Sequence, residues 1–436
     1  MGSNSKRRIV ITAMGLISPI GIGRDAVLGS LQAGRSGVGT VQRYRGAATP
    51  GGIGGEVADL GEENAKKECF TEKEEKKAVK LMCREILLGT CAAKYALVDS
   101  GMDLDAIDHE RMGVEYGANL MFFAPEQMAD AARAASDPSG TFHFEDWGSK
   151  GLKSMEPLWM LKYLPNMPAC HIAIFFQALG PNNSVTVDEA SPGVAITEAM
   201  NILERGAADM MLVGGTGTRI NPVKSMHVNL WEGLAYDANN PSASCKPFDA
   251  GRSGTVAGEA AACLLLEEES HALARGAKIL GRIHSGASSC VCSPDGKANP
   301  QQALVNSVQA AMRRAGVSPS DIGHYNAHGL GSVADDAVEA AAIHQIFGTS
   351  ANQLPVTGLK GFFGNSGAAS GLVELACSLL SLGEGSIPQT LNTTSPDSAL
   401  ELDVVTGSPR STSNKLFVSA NFTSRGQASA IVAEGV

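Results

Sequence analysis

Val185-Thr-Val-Asp188-Glu189-Ala-Ser191-Pro192-Gly193 carries the chain from an apolar run directly into a segment with helical spacing. Ser191 is a good N-cap residue and Pro192 suits the first helical position, so we predict a helix that begins near Ser191. Gly206 ends this helix, and the wholly apolar run at 210–213 follows. Continuous apolarity is typical of a strand buried on both faces, so this passage predicts a strand–helix–strand unit of an α/β protein.

Glu189 lies at the turn of this unit, where a strand meets a helix N-terminus. The free N–H groups there favour an anion, so the carboxylate of Glu189 is stabilised as a carboxylate. A cysteine at the same place would be activated as a thiolate. Read locally, Glu189 and Asp188 are equally well explained as ordinary acidic residues at a helix start.

Outward from this unit the chain continues as alternating strand and helix patterns. We predict strands at 8–13 and 113–120, a long helix over Glu74–Ser100, a loop over 37–66 and an irregular surface segment over 124–153. A faint repeat is present, because Gly101 and Ile107 recur 215 positions later as Gly316 and Ile322. The repeat favours two similar halves, although helix–Gly–turn–strand also recurs in any α/β protein.

Composition excludes several classes of protein. The 436 residues include 44% apolar and 18% charged residues, as in a soluble globular protein. The net charge of −10 argues against a nucleic-acid partner. Nine cysteines, an odd number, do not suggest a disulfide framework, and we expect reduced thiols in a cytoplasmic protein. Cys290 and Cys292 lack the further ligands that a metal site needs, and we expect neither a signal peptide nor a membrane span.

Four further segments contain residues that could act in a site. Each is also compatible with an ordinary turn or a structural histidine when it is read alone. The Gly-rich run around Lys360 and Asn365 does not have the spacing of a phosphate-binding P-loop. The segments are Lys246-Pro-Phe-Asp249-x2-Arg252-x-Gly254, Asn326-Ala-His328-Gly329, Thr357-Gly-Leu-Lys360-Gly-Phe-Phe-Gly-Asn365 and Asn421-Phe-Thr-Ser424-Arg425-Gly-Gln427.

In order and spacing, these motifs resemble those of the elongating β-ketoacyl-(acyl carrier protein) synthases. The start of the chain at Arg8–Gly21 and the segment Asn166–His171 also resemble that family, so the likeness runs from about residue 8 to residue 432. The resemblance implies a thiolase-type α/β fold of two similar halves, with mixed sheets layered between helices. We place the halves at residues 1–255, with the elbow at Glu189, and 256–436, with the His and Lys motifs.

The resemblance also implies roles for individual residues, and here the chain departs from the family. Glu189 takes the position of the nucleophilic cysteine, Asn365 replaces the second catalytic histidine, and His328 retains the first. Lys360 and Glu339 are kept and are expected to form a supporting ion pair. In the gate loop, Ser424 replaces a glycine and Arg425 stands where the gating phenylalanine is expected. No metal or cofactor is implied.

A carboxylate is a poor acyl acceptor because its acyl product would be a labile anhydride, so we predict that this chain does not condense acyl groups. Cys170 is a neighbouring thiol that could substitute, although free cysteines are usually small buried residues. A His–Asn pair can still hold an enolate, so decarboxylation stays open, although Glu189 would repel a malonyl carboxylate.

Three hypotheses of function follow from these departures. The first is a non-condensing partner of an active ketosynthase, like the chain-length factors. The second is an enzyme on acyl-carrier substrates, as a malonyl decarboxylase or a 3-oxoacyl synthase-type acyltransferase. The third is a non-enzymatic scaffold that binds acyl chains or a carrier protein. The expected partners are an acyl carrier protein with phosphopantetheine-linked chains and a second subunit, in a homodimer or a heterodimer.

Overall fold

Two five-stranded half-sheets joined edge to edge form the centre of the fold in the computed structural model, which describes residues 7–44 and 48–436. The start of the chain, for which we predict no signal peptide, lies at residues 1–6 outside the described residues. The first half-sheet contains β1 (Ile9–Ser18), β2 (Met112–Ala118), β3 (Asn182–Val185), β4 (Met210–Thr218) and β5 (Glu259–Glu268). The second contains β6 (Gly281–Cys290), β7 (His324–Ala327), β8 (Pro355–Gly358), β9 (Leu416–Phe422) and β10 (Gln427–Gly435).

The two half-sheets have the same topology. The strand order is β1-β5-β4-β2-β3 in the first and β6-β10-β9-β7-β8 in the second, which is the same permutation. In each half the first two pairings are antiparallel and the last two are parallel. An antiparallel contact between β1 and β6 joins the halves. The duplication suggested by the recurring glycine and isoleucine is therefore present in the strand order, and both sheets are mixed as predicted.

Helices form the layers around these sheets. Two helices, α7 (Ser191–Glu204) and α13 (Ser370–Gly383), lie between the half-sheets and share one apolar core with strands of both halves. The outer helices pack in two further clusters, one for each half. The remaining helices are α1 (Arg24–Gln32), α2 (Glu62–Glu68), α3 (Lys73–Ala78), α4 (Arg84–Asp99), α5 (Glu126–Ala134), α6 (Met167–Phe176), α8 (Pro222–Trp231), α9 (Glu269–Ala274), α10 (Pro300–Ala315), α11 (Val333–Phe347) and α12 (Lys360–Phe363).

Short strand pairs and a few bridging strands complete the fold. Val38–Thr40 pairs with Ile53–Gly55, and Ser386–Ile387 pairs with Arg410–Ser411. Gly21–Ile22 and Asp403–Val404 add to the main sheet beside β1 and β8. β5 completes the first half-sheet, so the chain passes between halves after Glu268. The division at residues 255 and 256 stays a prediction. No helix in the described part of the chain is long and apolar enough to cross a membrane.

Three segments differ from the predicted secondary structure. The predicted helix over Glu74–Ser100 is interrupted at Met82 and Cys83, whose backbones are extended, so that α3 and α4 are separate. The interruption turns Arg84 inward, where it forms a buried ion pair with Glu259 at 2.6 Å. The predicted loop over 37–66 contains a two-stranded pair, and the irregular segment over 124–153 contains α5. Tertiary contacts determine the secondary structure of these three segments, and hydrophobic periodicity in the sequence does not predict it.

Candidate active site

A cavity of about 410 Å³ lies between the two halves, and we call it the junction cavity. The predicted site residues Glu189, His328, Ser424 and Arg425 line its wall. The first half also contributes Asp188, Arg219, Trp231, Glu232, Gly233 and Thr255. The second half also contributes Leu330, Ser332, Asp335, Phe422 and Thr423. Motifs that lie far apart in the sequence are therefore brought to one place.

The turn that carries Glu189 is a sharp elbow. β3 ends at Val185, Asp188 has a left-handed backbone with φ of 46°, and a single 3₁₀ turn over Asp188–Ala190 leads directly into α7. Ser191 is the first residue of α7 and not its N-cap as predicted. Its hydroxyl instead accepts a hydrogen bond of 2.8 Å from the backbone N–H of Val187 and so closes the elbow.

Glu189 is almost completely buried, with 5% of its surface exposed, and two side chains bind it. Arg219 Nη2 donates to Glu189 Oε1 over 2.5 Å, and Asn365 Nδ2 donates to the same oxygen over 3.0 Å. Burial alone would raise the pKa of Glu189, but the charge of Arg219 and the Asn365 amide outweigh burial and hold the pKa below its usual value. Glu189 is therefore an ionised carboxylate whose Oε1 is bound by both side chains.

Arg219 is shared between two carboxylates. Its Nη1 donates to both oxygens of Glu232 over 2.5 and 2.6 Å, while Nη2 faces Glu189. The guanidinium is buried, with 3% of the side chain exposed. Glu232 accepts two hydrogen bonds from Arg219 Nη1. The orientation of Arg219 toward Glu189 therefore does not depend on Glu189 alone.

His328 lines the junction cavity, and its two ring nitrogens differ in their hydrogen-bond partners. Nδ1 faces two donors, Lys360 Nζ at 3.1 Å and Asn421 Nδ2 at 3.2 Å, so Nδ1 accepts and the proton resides on Nε2. Nε2 is buried and has no hydrogen-bond partner within the described structure. Burial, followed by the charges of Lys360 and Arg219, places the pKa of His328 well below its usual value. His328 is thus a neutral N–H donor in the wall of the cavity.

The predicted ion pair between Lys360 and Glu339 is wrong. Lys360 Nζ pairs with Glu374 Oε1 over 2.7 Å and also donates to the backbone carbonyl of His328. The Glu339 carboxylate accepts the backbone N–H groups of His328 and Gly329 over 2.8 and 2.9 Å. Glu339 therefore shapes the backbone of the His motif, while Glu374, in the central helix α13, balances the buried charge of Lys360.

Ser424 and Arg425 lie in the turn between β9 and β10, at the mouth of the cavity. Arg425 Nη1 donates to Asp188 Oδ2 over 3.1 Å, next to Glu189 in the chain. The Arg425 side chain is 68% exposed, so this pair is a solvated contact across the mouth rather than a buried bridge.

Sequence reasoning missed Arg219, Glu232 and Glu374. A signal existed for two of them. Arg219 is the first charged residue after the apolar and glycine-rich run of β4, and Glu374 is the single charge within the apolar helix α13. A lone charge in such surroundings needs a buried partner. Nothing in the local sequence identified Glu232 as that partner.

Thiol and metal chemistry find little support at this site. The described wall of the junction cavity contains no cysteine, and Cys170 is a half-buried residue whose Sγ lies 3.6 Å from Asn166 Nδ2. Among residues 7–44 and 48–436, no group of three or more His, Cys, Asp or Glu side chains is arranged to hold a metal ion. The groups available in the cavity are carboxylates, two guanidiniums, hydroxyls and a neutral imidazole N–H.

Comparison with known proteins identifies the family. The profile of the β-ketoacyl synthase N-terminal domain matches residues 6–272, and that of the C-terminal domain matches residues 281–394. The chain is 28% identical over 416 residues to 3-oxoacyl-[acyl-carrier-protein] synthase 2 of Synechocystis, covering 94% of each protein.

Two solved structures confirm the thiolase-type fold. The ishigamide ketosynthase/chain length factor superposes with a TM-score of 0.84 at 23% identity, covering 99% of this chain and 100% of the other. A type II polyketide synthase acyl carrier protein in complex with its ketosynthase gives a TM-score of 0.81 with the same identity and coverage. The chain therefore belongs to the β-ketoacyl synthase family.

Proposed function

We propose that this protein is a non-condensing, chain-length-factor-like subunit that pairs with an active ketosynthase in fatty-acid or polyketide biosynthesis. The observation that carries the proposal is the state of Glu189, which is ionised, buried and bound by Arg219 and Asn365. We take the elbow position of Glu189 as that of the family's nucleophile. An engaged carboxylate does not replace a thiolate there, because its acyl product would be an anhydride.

Two further features support the same role. Asn365, at the position of the second histidine, is committed to Glu189, so it is not free to hold an enolate. The similarity to a ketosynthase/chain length factor and to a ketosynthase that binds a carrier protein makes a second subunit and an acyl carrier protein the partners to test first.

The test is co-expression with a cysteine-containing ketosynthase from the same organism. We expect a heterodimer by native mass spectrometry and condensation of acyl-carrier substrates only when both chains are present. This chain alone is expected to acquire no acyl mass from an acyl-carrier protein. A homodimer that stays inert beside every such ketosynthase, or a stable acyl adduct on Glu189, contradicts the proposal.

A second candidate function is decarboxylation of a malonyl group on a carrier protein. The observation in its favour is His328, which lines the junction cavity and whose Nε2–H has no hydrogen-bond partner in the described structure. This donor can stabilise an enolate oxygen. Loss of CO₂ from malonyl-carrier protein, abolished in His328→Ala, would establish it. Absence of turnover in both the wild type and Glu189→Gln would remove it.

A further inference from the structure

The pairing of Glu189 with Arg219 has the composition of a protein–ligand contact for a small carboxylate. A buried guanidinium and an amide donate to one carboxylate oxygen, and a cavity of about 410 Å³ adjoins Glu189 and Arg219. We infer that Arg219 and Asn365 form a carboxylate-binding subsite that the chain's own Glu189 fills. The ligand class is a carboxylate, either a free short-chain acid or the carboxyl end of a carboxyacyl thioester.

The subsite is expected to persist without Glu189 because other residues hold both donors. Glu232 accepts two hydrogen bonds from Arg219 Nη1, a different nitrogen from the Nη2 that binds Glu189. The Asn365 side-chain oxygen accepts from the Gly367 N–H over 3.0 Å and from the Ser370 hydroxyl over 3.2 Å, which fixes the amide with its NH₂ group toward Glu189. Removing the Glu189 carboxylate therefore leaves two oriented donors and space in front of them.

Charge supports a single carboxylate as the occupant. With Glu189 absent, Glu232 still neutralises Arg219 formally, but Arg219 Nη2 loses its acceptor, and Nε already has none within the described structure. A buried guanidinium edge without an acceptor is unfavourable, and a carboxylate satisfies it with the geometry that arginine prefers. In the native protein Glu189 does this from within the chain, so a ligand carboxylate is excluded by occupation and by repulsion.

The test uses Glu189→Ala in the full chain, with thermal unfolding and calorimetric titration of acetate. We expect the variant to bind acetate at least about tenfold more tightly than the wild type, and acetate but not chloride to raise its unfolding temperature. The variant is also expected to bind a malonyl thioester of N-acetylcysteamine more tightly than the butyryl thioester. If the variant binds acetate but does not prefer the malonyl thioester to the butyryl thioester, the ligand class is a free acid. If it prefers the malonyl thioester but does not bind acetate, the ligand class is a carboxyacyl group.

Two controls separate the subsite from a general effect. Glu189→Ala combined with Arg219→Gln is expected to lose the acquired binding. Asp335→Ala removes another carboxylate of the same cavity, one that contacts Ser332 and not Arg219, and is expected to gain no acetate affinity. A folded Glu189→Ala that binds neither acetate nor the malonyl thioester overturns the inference, as does equal binding by the double variant.

Removal of Glu189 could also prevent the variant from folding, and in that case rescue of folding by acetate tests the inference. If Glu189→Ala and Glu189→Ser both fail to fold in chloride buffer, acetate during refolding is expected to restore soluble protein, and failure to do so contradicts the inference. The inference rests on the same ion pair as the proposed function but needs no partner subunit. A negative result here therefore leaves the heterodimer test intact, and an absent heterodimer leaves the carboxylate subsite intact.

Discussion

Lys360 forms a completely buried ion pair with Glu374, at 2.7 Å, between the Gly-rich segment after β8 and the central helix α13. The same ammonium lies 3.1 Å from Nδ1 of His328. One lysine therefore fixes the tautomer of the histidine at the cavity, and the carboxylate that balances its charge comes from the layer between the two half-sheets. The charge balance of the site is thus part of the core of the fold.

Glu374→Gln is expected to destabilise the protein by about 3–5 kcal/mol, because it leaves a buried ammonium without its counter-charge. Urea unfolding measures this loss. Glu339→Gln is the control, since Glu339 is equally buried but its two oxygens accept backbone N–H groups, one of which an amide oxygen can keep. We expect it to cost about 1–3 kcal/mol, because the other N–H loses its acceptor. A larger loss of stability in Glu339→Gln than in Glu374→Gln would instead favour the Lys360–Glu339 ion pair that the family resemblance implied.

The contrast between Glu339 and Glu374 shows how far sequence reasoning reached. Glu189, His328, Asn365 and Lys360 were found because each lies within a motif whose order along the chain is preserved. Their surroundings were not found, because Glu374 reaches Lys360 only through the packing of α13 between the sheets. The same holds for Arg219, which meets Glu189 across 30 residues of chain.

The secondary structure likewise contains elements that the local sequence predicts and one feature that it does not. The strands β1 and β4 and the helix α7 follow from apolar runs and from Pro192, and the structure contains all of them. The break between α3 and α4 has no local cause, because both sides have helical periodicity. The break coincides with the buried ion pair between Arg84 and Glu259, a contact over 175 residues that periodicity cannot report.

Glu85 is expected to contribute a loss of stability as pH rises from about 5 to about 7. Burial raises the pKa of Glu85 from 4.5 to about 7. Between these pH values the folded protein keeps a proton on Glu85 that the unfolded chain has released. The free energy of unfolding therefore decreases as pH rises. The shift corresponds to at most about 3 kcal/mol.

Glu85→Gln is therefore expected to make the free energy of unfolding less dependent on pH. Relative to the wild type, the variant should be more stable at pH 8 than it is at pH 5. The measurement is the free energy of unfolding in urea at several pH values. Glu63→Gln, a change to an exposed carboxylate of α2, serves as the control and should leave the slope unchanged. A slope equal to that of the wild type in Glu85→Gln contradicts the assignment.

Gly15 is expected to tolerate no side chain, because β1 passes against α4 at this point. A Cβ atom at Gly15 would lie 1.9 Å from the carbonyl oxygen of Ala92, and backbone cannot move aside as a side chain can. Gly15→Ala should cost about 1–3 kcal/mol or more, which thermal unfolding would record. Gly39→Ala is the matched strand control, since a Cβ there meets no atom within 4 Å. Equal stabilities of the two variants would exclude close packing of β1 on α4.

Glu189→Cys is expected to introduce a reactive thiol. The side chain would lie at the start of α7 with Arg219 beside it, and both the helix N-terminus and a cation favour the thiolate. Alkylation by iodoacetamide, followed by peptide mass spectrometry, compares this thiol with the exposed native Cys290 and Cys292. Its rate at pH 6.5 should exceed theirs, since the helix start and Arg219 favour the thiolate at position 189. A rate that rises only above pH 8 would mean that the elbow does not activate a nucleophile.

Arg425→Ala is expected to open the mouth of the junction cavity without weakening the fold. Its pair with Asp188 is largely solvated, so the free energy of unfolding should change by less than about 1 kcal/mol. In the Glu189→Cys background, however, loss of this contact should speed alkylation of the introduced thiol several-fold, because the side chain lines the same cavity and is bound to Asp188, the neighbour of position 189. Arg133→Ala, which breaks an exposed pair with Asp130 in α5, is the control for a general loss of surface charge. If both arginine variants give the same alkylation rate, Arg425 has no part in controlling access.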